Sequence, residues 1–325
     1  MIRDQWFVIL ESREIPVQGV IGVTRLGEKL ALWRDSTGNP HALSDQCPHR
    51  GAALSGGKVL GDCLQCPFHG FQFDSYGVSR LVPANGKAAL PPKALHTRSY
   101  ALREKFGYIW LWWGEQRDSY PELPWFDDLD PSFSFTADKA HWKAHYSRAI
   151  ENQLDVFHLA FVHATTIGRG NRTVSDGPYT RLEGEELDIW VYNRRDEDGS
   201  ARRLDTLPDP QRSPSLRFIF PNLWMNRISD DNRITVAFVP VDEENTLFYL
   251  RYYQRFVRIP VLRELVNGIT VLFGRVILKQ DQSVVENQLP QRSGLRTGEI
   301  LIPADKPIIL YRTHREELIR KSNPE

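Results

Sequence analysis

The chain has 325 residues, 41% of them hydrophobic and 25% charged, with 41 lysines and arginines against 41 aspartates and glutamates. These figures describe an ordinary globular protein of one or two domains, large enough to bury a sizeable core. A formal net charge of zero, with no run of five like charges, removes the electrostatic drive toward nucleic acid or an anionic membrane surface.

In chain order, the opening Met1-Ile-Arg-Asp-Gln-Trp-Phe-Val-Ile-Leu10 sets Arg3 and Asp4 where a secretory leader would be apolar, so no signal peptide is expected there. Trp6 to Leu10, Lys29-Leu-Ala-Leu-Trp33 and Tyr108-Ile-Trp-Leu-Trp-Trp113 are short runs of branched and aromatic residues that predict strands, with Trp110, Trp112 and Trp113 as packing residues of a sheet. Asp35-Ser-Thr-Gly38, Ser55-Gly-Gly57 and Ala84-Asn-Gly86 are turn signals between them. This predicts an all-β domain over residues 1–115 and a second domain over residues 116–325. The proline- and acid-rich stretch from Asp118 to Pro131 fits neither period and reads as a linker on the surface. Beyond it, His141 to about His163 has helical spacing, Tyr179 to Tyr192 and Arg217 to Tyr253 read as strands, and Val261 to Leu289 as one or two helices. That order predicts an α+β domain with a helix laid against an antiparallel sheet. The most apolar long window, Ile259 to Leu278, carries Arg263, Glu264 and Arg275 and is too charged to span a bilayer. Three cysteines make no disulfide framework and point to a reducing compartment, the cytoplasm.

Two constellations carry chemistry. In the first, Cys47-Pro-His49-Arg-Gly51 and Cys66-Pro-Phe-His69-Gly70 leave sixteen residues between His49 and Cys66. Each loop offers one thiolate and one imidazole, the ligand set of a Rieske [2Fe–2S] centre with both cysteines on one iron and both histidines on the other. Gly51 and Gly70 would let backbone N–H groups approach the cluster sulfides. A zinc site uses the same residue types, but this spacing is not that of a zinc finger. A redox dithiol at Cys63-Leu-Gln-Cys66 would leave Cys47, His49 and His69 unexplained.

With Ala52 and Phe71 closing the two motifs, the sequence resembles the N-terminal domain of the Rieske non-haem iron oxygenases. That resemblance requires a mononuclear iron elsewhere in the chain. The second constellation, Glu151-Asn-Gln-Leu-Asp155-Val-Phe-His158-Leu-Ala-Phe-Val-His163, supplies two imidazoles. Asp155 and His158 share one face of a regular helix, whereas His163 lies about 140° further round, so a common metal demands that the helix end or bulge between the histidines. Two histidines and a carboxylate form the facial triad of iron(II) oxygenases. Asp155 is one candidate for the carboxylate. Asp281 is the better one: counted from Ile277, positions 281, 284, 285 and 288 share a stripe, which sets Asp281 among Val284 and Val285 on the buried face and Glu286 on the other. A buried carboxylate needs either a metal or a paired arginine or amide. His141 and His145, four apart, lack a third ligand and read as surface or packing residues.

Asn152, Asp155, His158 and His163 match the catalytic motif of the same family, and Asp281 its distant carboxylate. The resemblance spans essentially the whole chain. It implies an N-terminal Rieske domain followed by a helix-grip catalytic domain, with Fe(II) on His158, His163 and Asp281. It also makes Asp155 a bridge, not a ligand, between His158 and the residue corresponding to His69 of a neighbouring subunit in a homotrimer; Asn152 supports it. The expected activity is that of a terminal oxygenase using O2 on an aromatic or polycyclic small molecule. The tail around Leu301 to Arg312 is similar to the branch that hydroxylates or removes O- and N-methyl groups. A ring dihydroxylase remains an alternative, as does a Rieske electron carrier with a ligand-binding module. No flavin or NAD fingerprint is present, so a separate reductase or ferredoxin is expected as donor.

Overall fold

The computed structural model describes residues 1–197, 199–203 and 209–322. The chain forms two compact units, one of Arg3–Glu122 with Val239–Asp242, the other of Leu123–Phe238 with Glu243 onward.

The first unit is all β. Its strands are β1 (Gln5–Glu11), β2 (Val20–Arg25), β3 (Glu28–Arg34), β4 (Pro40–Ser44), β5 (Lys58–Leu60), β6 (Cys63–Gln65), β7 (Gln72–Phe73), β8 (Ser79–Leu81), β9 (Ser99–Tyr100), β10 (Leu102–Lys105) and β11 (Tyr108–Trp113). They make three sheets, ordered β1-β11-β10, β2-β3-β4-β9 and β5-β6-β7-β8. All of β11 is buried, because it is the middle strand of its sheet with both faces covered; this accounts for the unbroken apolar run there. Trp112 meets Trp6 edge-on at 5.4 Å. A second core gathers Trp33, Leu43, Leu64 and Phe73 around Cys47 and Cys66, so both thiols sit on packed apolar side chains.

The second unit contains β12 (Ser134–Trp142), α1 (Tyr146–Leu154), α2 (Leu159–Val162), β13 (Val174–Glu183), β14 (Glu186–Arg194), β15 (Leu216–Ile219), β16 (Leu223–Ser229), β17 (Asn232–Pro240), β18 (Thr246–Gln254), α3 (Pro260–Val285) and α4 (Lys306–Ser322). Its sheet runs β12-β18-β17-β16-β15-β14-β13. Successive strands β12 and β13 are therefore its two edges, and α1 and α2 form the connection that crosses from one edge to the other. α3 packs on β12 and β18, α4 on β13 and β14. α1 is clamped from the inside: Arg312 of α4 donates to both carboxylate oxygens of Glu151 at 2.7 and 2.9 Å, and Arg148 donates to the Pro290 carbonyl and to Glu299.

Two local expectations change, the helix from His141 and the buried stripe of α3. The stretch from His141 is not one helix: His141 ends in β12, its Nε2 3.0 Å from Asn245 Oδ1, and helix begins only at Tyr146. His145 is its N-cap, accepting the Ser147 N–H on Nδ1 at 3.2 Å, so the two histidines belong to different elements. α3 is a single helix of 26 residues. Its buried residues are Asn267, Gly274, Leu278, Asp281 and Val285, whereas Val284 is 43% exposed and Gln288 lies beyond the helix end. Glu286 caps α3 and accepts the Lys143 N–H at 2.7 Å, which ties the end of α3 to the residue just after β12.

Candidate metal centres

In the first unit, the two cysteine loops have the same main-chain plan. Cys47 N–H donates to the Ala52 carbonyl at 2.8 Å and Gly51 N–H to the Cys47 carbonyl at 2.9 Å; Cys66 N–H donates to Phe71 at 2.8 Å and Gly70 N–H to Cys66 at 3.1 Å. Each loop closes through a glycine with positive φ, +75° at Gly51 and +72° at Gly70, a conformation that glycine adopts without penalty. The glycine N–H groups are thus spent on cysteine carbonyls; it is the backbone conformation, not an approach of these N–H groups to a sulfide, that the glycines serve. Cys47 and Cys66 are buried, while His49 and His69 are exposed. Their rings meet edge to face, centroids 4.7 Å apart with 68° between planes, and Phe71 stacks on His49 at 4.7 Å with 18° between planes. Burial, with the Cys66 thiol beside it, pushes the Cys47 thiol up. Two buried sulfurs and two adjacent, exposed imidazoles suit a [2Fe–2S] cluster, which would supply the positive charge that stabilises paired thiolates. Cys63 lies on β6, half-buried.

In the second unit, α1 ends at Leu154 and Asp155 is its C-cap, with extended backbone. The shared helical face expected for Asp155 and His158 is therefore replaced by a turn. Asp155 Oδ1 accepts the Phe157 N–H at 2.8 Å and the His158 N–H at 3.1 Å, taking up amides that the start of α2 leaves free. From the other side, Asn193 of β14 donates through Nδ2 to the Val156 carbonyl. α2 is a single turn with His158 before it and His163 after it as its C-cap, so the helix ends at Val162, between the two histidines, as their spacing demands; the break after Leu154 comes in addition. Asp155 is held below the usual carboxylate range: burial pushes it up, but His158 and the two amides outweigh burial. Its Oδ1 lies 3.4 Å from His158 Nδ1.

Asp281, 2% exposed on the inner face of α3, completes the arrangement. Its Oδ1 is 3.0 Å from His163 Nε2 and 3.5 Å from His158 Nε2, and one ligand atom from each of the three residues falls within 4.8 Å of the others. Asn152 Nδ2 donates to the same oxygen at 3.4 Å. His163 Nδ1 faces Gln280 Oε1 at 2.9 Å. Gln280 Oε1 also accepts from Thr166 Oγ1 at 3.0 Å, and its Nε2 donates to Thr165 at 3.3 Å. The amide is thereby oriented, the proton of His163 belongs on Nδ1, and the Nε2 lone pair points at a carboxylate. Two electron pairs aimed at one another call for a cation between them, and the donor set suits Fe(II). A proton in that place has the same effect: burial alone would lower the His163 pKa, but Asp281 and Gln280 raise it.

Gly168 fits closely beneath this turn. A Cβ there would stand 1.8 Å from the Leu159 carbonyl oxygen, and its N–H donates to the His163 carbonyl at 2.9 Å. Gln280, Asn193 and Gly168 were not evident from sequence; only Gln280, adjoining Asp281, left a trace. No helix among the described residues is long and apolar enough to cross a membrane.

Comparison with known proteins follows the same division. Residues 5–100 match the Rieske [2Fe-2S] domain, and residues 142–321 the vanillate O-demethylase oxygenase C-terminal domain. The chain is 35% identical over 169 residues to the toluene-4-sulfonate monooxygenase system iron-sulfur subunit TsaM1 of Comamonas testosteroni, covering 51% of this chain and 48% of that protein. It is 29% identical over 315 residues to the methylxanthine N1-demethylase NdmA of Pseudomonas putida, covering 95% and 85%. The crystal structure of dicamba monooxygenase bound to dicamba shares the fold, with a TM-score of 0.76 at 22% identity over 99% of this chain and 98% of that one.

Proposed function

The chain belongs to the Rieske oxygenases whose C-terminal half is the vanillate O-demethylase oxygenase domain, and on that premise we propose that it is a terminal oxygenase that monooxygenates an aromatic or polycyclic small molecule, by hydroxylation or by removal of an O- or N-methyl group. The observation that carries the reading is the convergence of His158, His163 and Asp281 in a chain whose other unit presents paired Cys–His loops. Residues 1–115 accept electrons and residues 116–325 bind oxygen and substrate. Cys47, His49, Cys66 and His69 hold the [2Fe–2S] cluster; His158, His163 and Asp281 hold the iron.

When bound, the cluster supplies single electrons and the iron supplies activation of O2. The protein's own part is placement. Gln280 fixes the His163 tautomer, Asn152 steadies Asp281, and Asp155 pins the amide of His158. The exposed edges of His49 and His69 support a further role for Asp155, linking His158 to His69 of a neighbouring copy in a homotrimer. Hydroxylating an O- or N-methyl group gives a hemiacetal or hemiaminal that collapses to formaldehyde, so demethylation and hydroxylation ask for the same site. A separate reductase or ferredoxin is the donor, and the three free cysteines suit a reducing cytoplasm.

Mass spectrometry of turnovers with a surrogate reductase, over methoxylated, N-methylated and unsubstituted ring compounds, tests the reaction. Loss of CH2 with formaldehyde, or gain of one oxygen, is expected; a product holding both atoms of labelled O2 overturns monooxygenation in favour of dihydroxylation. Substrate oxidation that survives alanine at His158 or His163 would make the chain an electron carrier instead.

A further inference from the structure

The inner face of the large sheet follows from register. Asn193, whose side chain reaches the Val156 carbonyl, shares a face of β14 with Ile189; Ile189 pairs with Leu216, and Leu216 with Asn226. Asn226 of β16 therefore points to the side of the helices. α3 packs on β12 and β18 and α4 on β13 and β14, so the inner face of β16 lies between the two packings. Asn226 and its partner Ile234 are only half-buried there, although strands pair on both sides of them. A space lies over the middle of the sheet.

Three polar side chains on this side have no hydrogen-bond partner among the described residues. Asn267 is 8% exposed on the buried stripe of α3, and its amide is unpaired. The same holds of the Asn226 amide and of the hydroxyl of Tyr252, a residue 5% exposed. Tyr252 lies against α3 at Gly274, where a Cβ would stand 2.1 Å from the hydroxyl oxygen; the glycine makes room for it. Burial, with the Asp138 carboxylate nearby, pushes that hydroxyl up to about 12, so it keeps its proton at neutral pH. Gly274 and Asn267 stand on the same stripe as Asp281, about 10 and 21 Å before it along the helix. Buried polar groups are ordinarily paired and costly when they are not. Nor is any of the three charged. Arg275 of α3 donates to both oxygens of Asp138 at 2.7 and 2.8 Å. Arg217, Arg227, Arg233 and Arg251 each adjoin an inner residue of their strand and so face the other way.

We propose that the substrate held in this space is a neutral ring compound carrying carbonyl or amide-type groups, bound through Asn226, Tyr252 and Asn267, and not an aromatic acid. The inference rests on the oxygenase reading above and names the class of that site's substrate. An asparagine amide offers donors on one side and an acceptor on the other, and a tyrosine hydroxyl serves as either; a lactam, an amide or a ketone answers them. A carboxylate only accepts. It would leave the asparagine carbonyls unmet and bury a charge with no counter-charge beside it. The roughly 10 Å from Asp281 to Gly274 suits a two-ring compound with its substituents, one end at the metal ligands and the other at the Tyr252 hydroxyl.

Isothermal titration calorimetry on the holoprotein under argon tests this with 6-methoxy-2-quinolone against 6-methoxy-2-naphthoate. Both have two rings and one methoxy group; the first carries a lactam, the second a carboxylate. The lactam should bind more tightly by about ten-fold or more. Tyr252→Phe, which removes one oxygen and keeps the ring, and Asn267→Leu should each weaken the lactam on the order of ten-fold and leave 2-methoxynaphthalene, which carries neither group, unchanged. Equal binding, tighter binding of the naphthoate or no binding of either overturns the proposal. So do variants that bind the lactam as wild type does, or that lose 2-methoxynaphthalene equally, which marks a packing role. Should Asn267→Leu fail to fold, Tyr252→Phe alone decides. Product analysis of the same mixtures with reductase and air keeps the two readings apart. A lactam bound as expected but never oxidised keeps the neutral ligand site and removes the oxygenase, whereas naphthoate oxidised in preference keeps the oxygenase and removes the neutral site.

Discussion

At the scale of single residues, the iron site depends on groups that are not themselves ligand candidates. Gly168 leaves no room for even a methyl group against the Leu159 carbonyl. Gly168→Ala should therefore displace the turn between His158 and His163 and lower iron affinity on the order of 10- to 100-fold, as outer-shell changes do. Iron content after dialysis against graded Fe(II), with the cluster's visible absorbance as an internal reference, checks this. Asp155 does two jobs that substitution can part. Asparagine keeps an oxygen for the Phe157 and His158 amides but loses the charge beside His158; alanine loses both. Asp155→Asn should keep its iron and lose turnover, whereas Asp155→Ala should lose both, measured by metal analysis beside single-turnover product formation.

At the scale of elements, α1 carries a pH dependence through its cap. His145 is buried, and burial, reinforced by the cationic Arg292 and Arg315, depresses its pKa to about 3. The unfolded chain takes up that proton near pH 6.5 and the folded one only near 3. Protons below about pH 6.5 therefore favour unfolding: the stability this cap contributes is fully present above that value and is lost as pH falls toward 3. His145→Asn still accepts the Ser147 N–H and does not titrate, so its Tm should fall less steeply than that of wild type between about pH 6.5 and 4. Equal slopes in differential scanning calorimetry would remove His145 as the cause. The elements also show where sequence reading succeeds. The run Tyr108 to Trp113 predicts a strand because only a pleated, covered strand accommodates six such residues, and α3 was expected over Val261 to Leu289 against an observed Pro260–Val285. Its phase was harder. Val284 and Val285 are equally apolar, and only tertiary packing selects Val285 for the inside. The spacing of His158 and His163 asks only for a helix end between them; the earlier break after Leu154 was not foreseen, and its agent, a carboxylate gathering two amides, is a tertiary choice with no periodic signature.

At the scale of the whole molecule, the proposed reading brings two kinds of iron chemistry into one polypeptide, and the two should separate under chelation. A ferrous chelator applied to the reduced protein should abolish substrate oxidation while the cluster's absorbance persists, since on that reading two buried sulfurs would grip the cluster and exchangeable nitrogen and oxygen donors the other iron. Fe(II) should restore activity and Zn(II) should not. Recovery with zinc would make the second metal a structural one. The sequence was most informative about the ligand-type residues, because thiols and imidazoles at fixed spacing are rare. It was least informative about Asn193 and Gly168, whose importance lies in what they touch across 37 and 9 positions of chain.

The two cysteine loops close on themselves, each through its own pair of main-chain hydrogen bonds and its own glycine turn, on a packed core that includes Trp33, Leu43, Leu64 and Phe73. We expect these loops to keep their shape without iron: equal circular dichroism for protein from iron-depleted cells and loaded protein, with a cooperative thermal transition in both, would bear it out, whereas an unfolded apoprotein would refute it. Maturation would then be a delivery step onto a finished cradle, in contrast to small metal-dependent domains that fold only as they load. A cell short of iron would then accumulate a folded, inactive and rescuable protein instead of one marked for degradation, and its oxidising capacity would follow the iron supply without new synthesis.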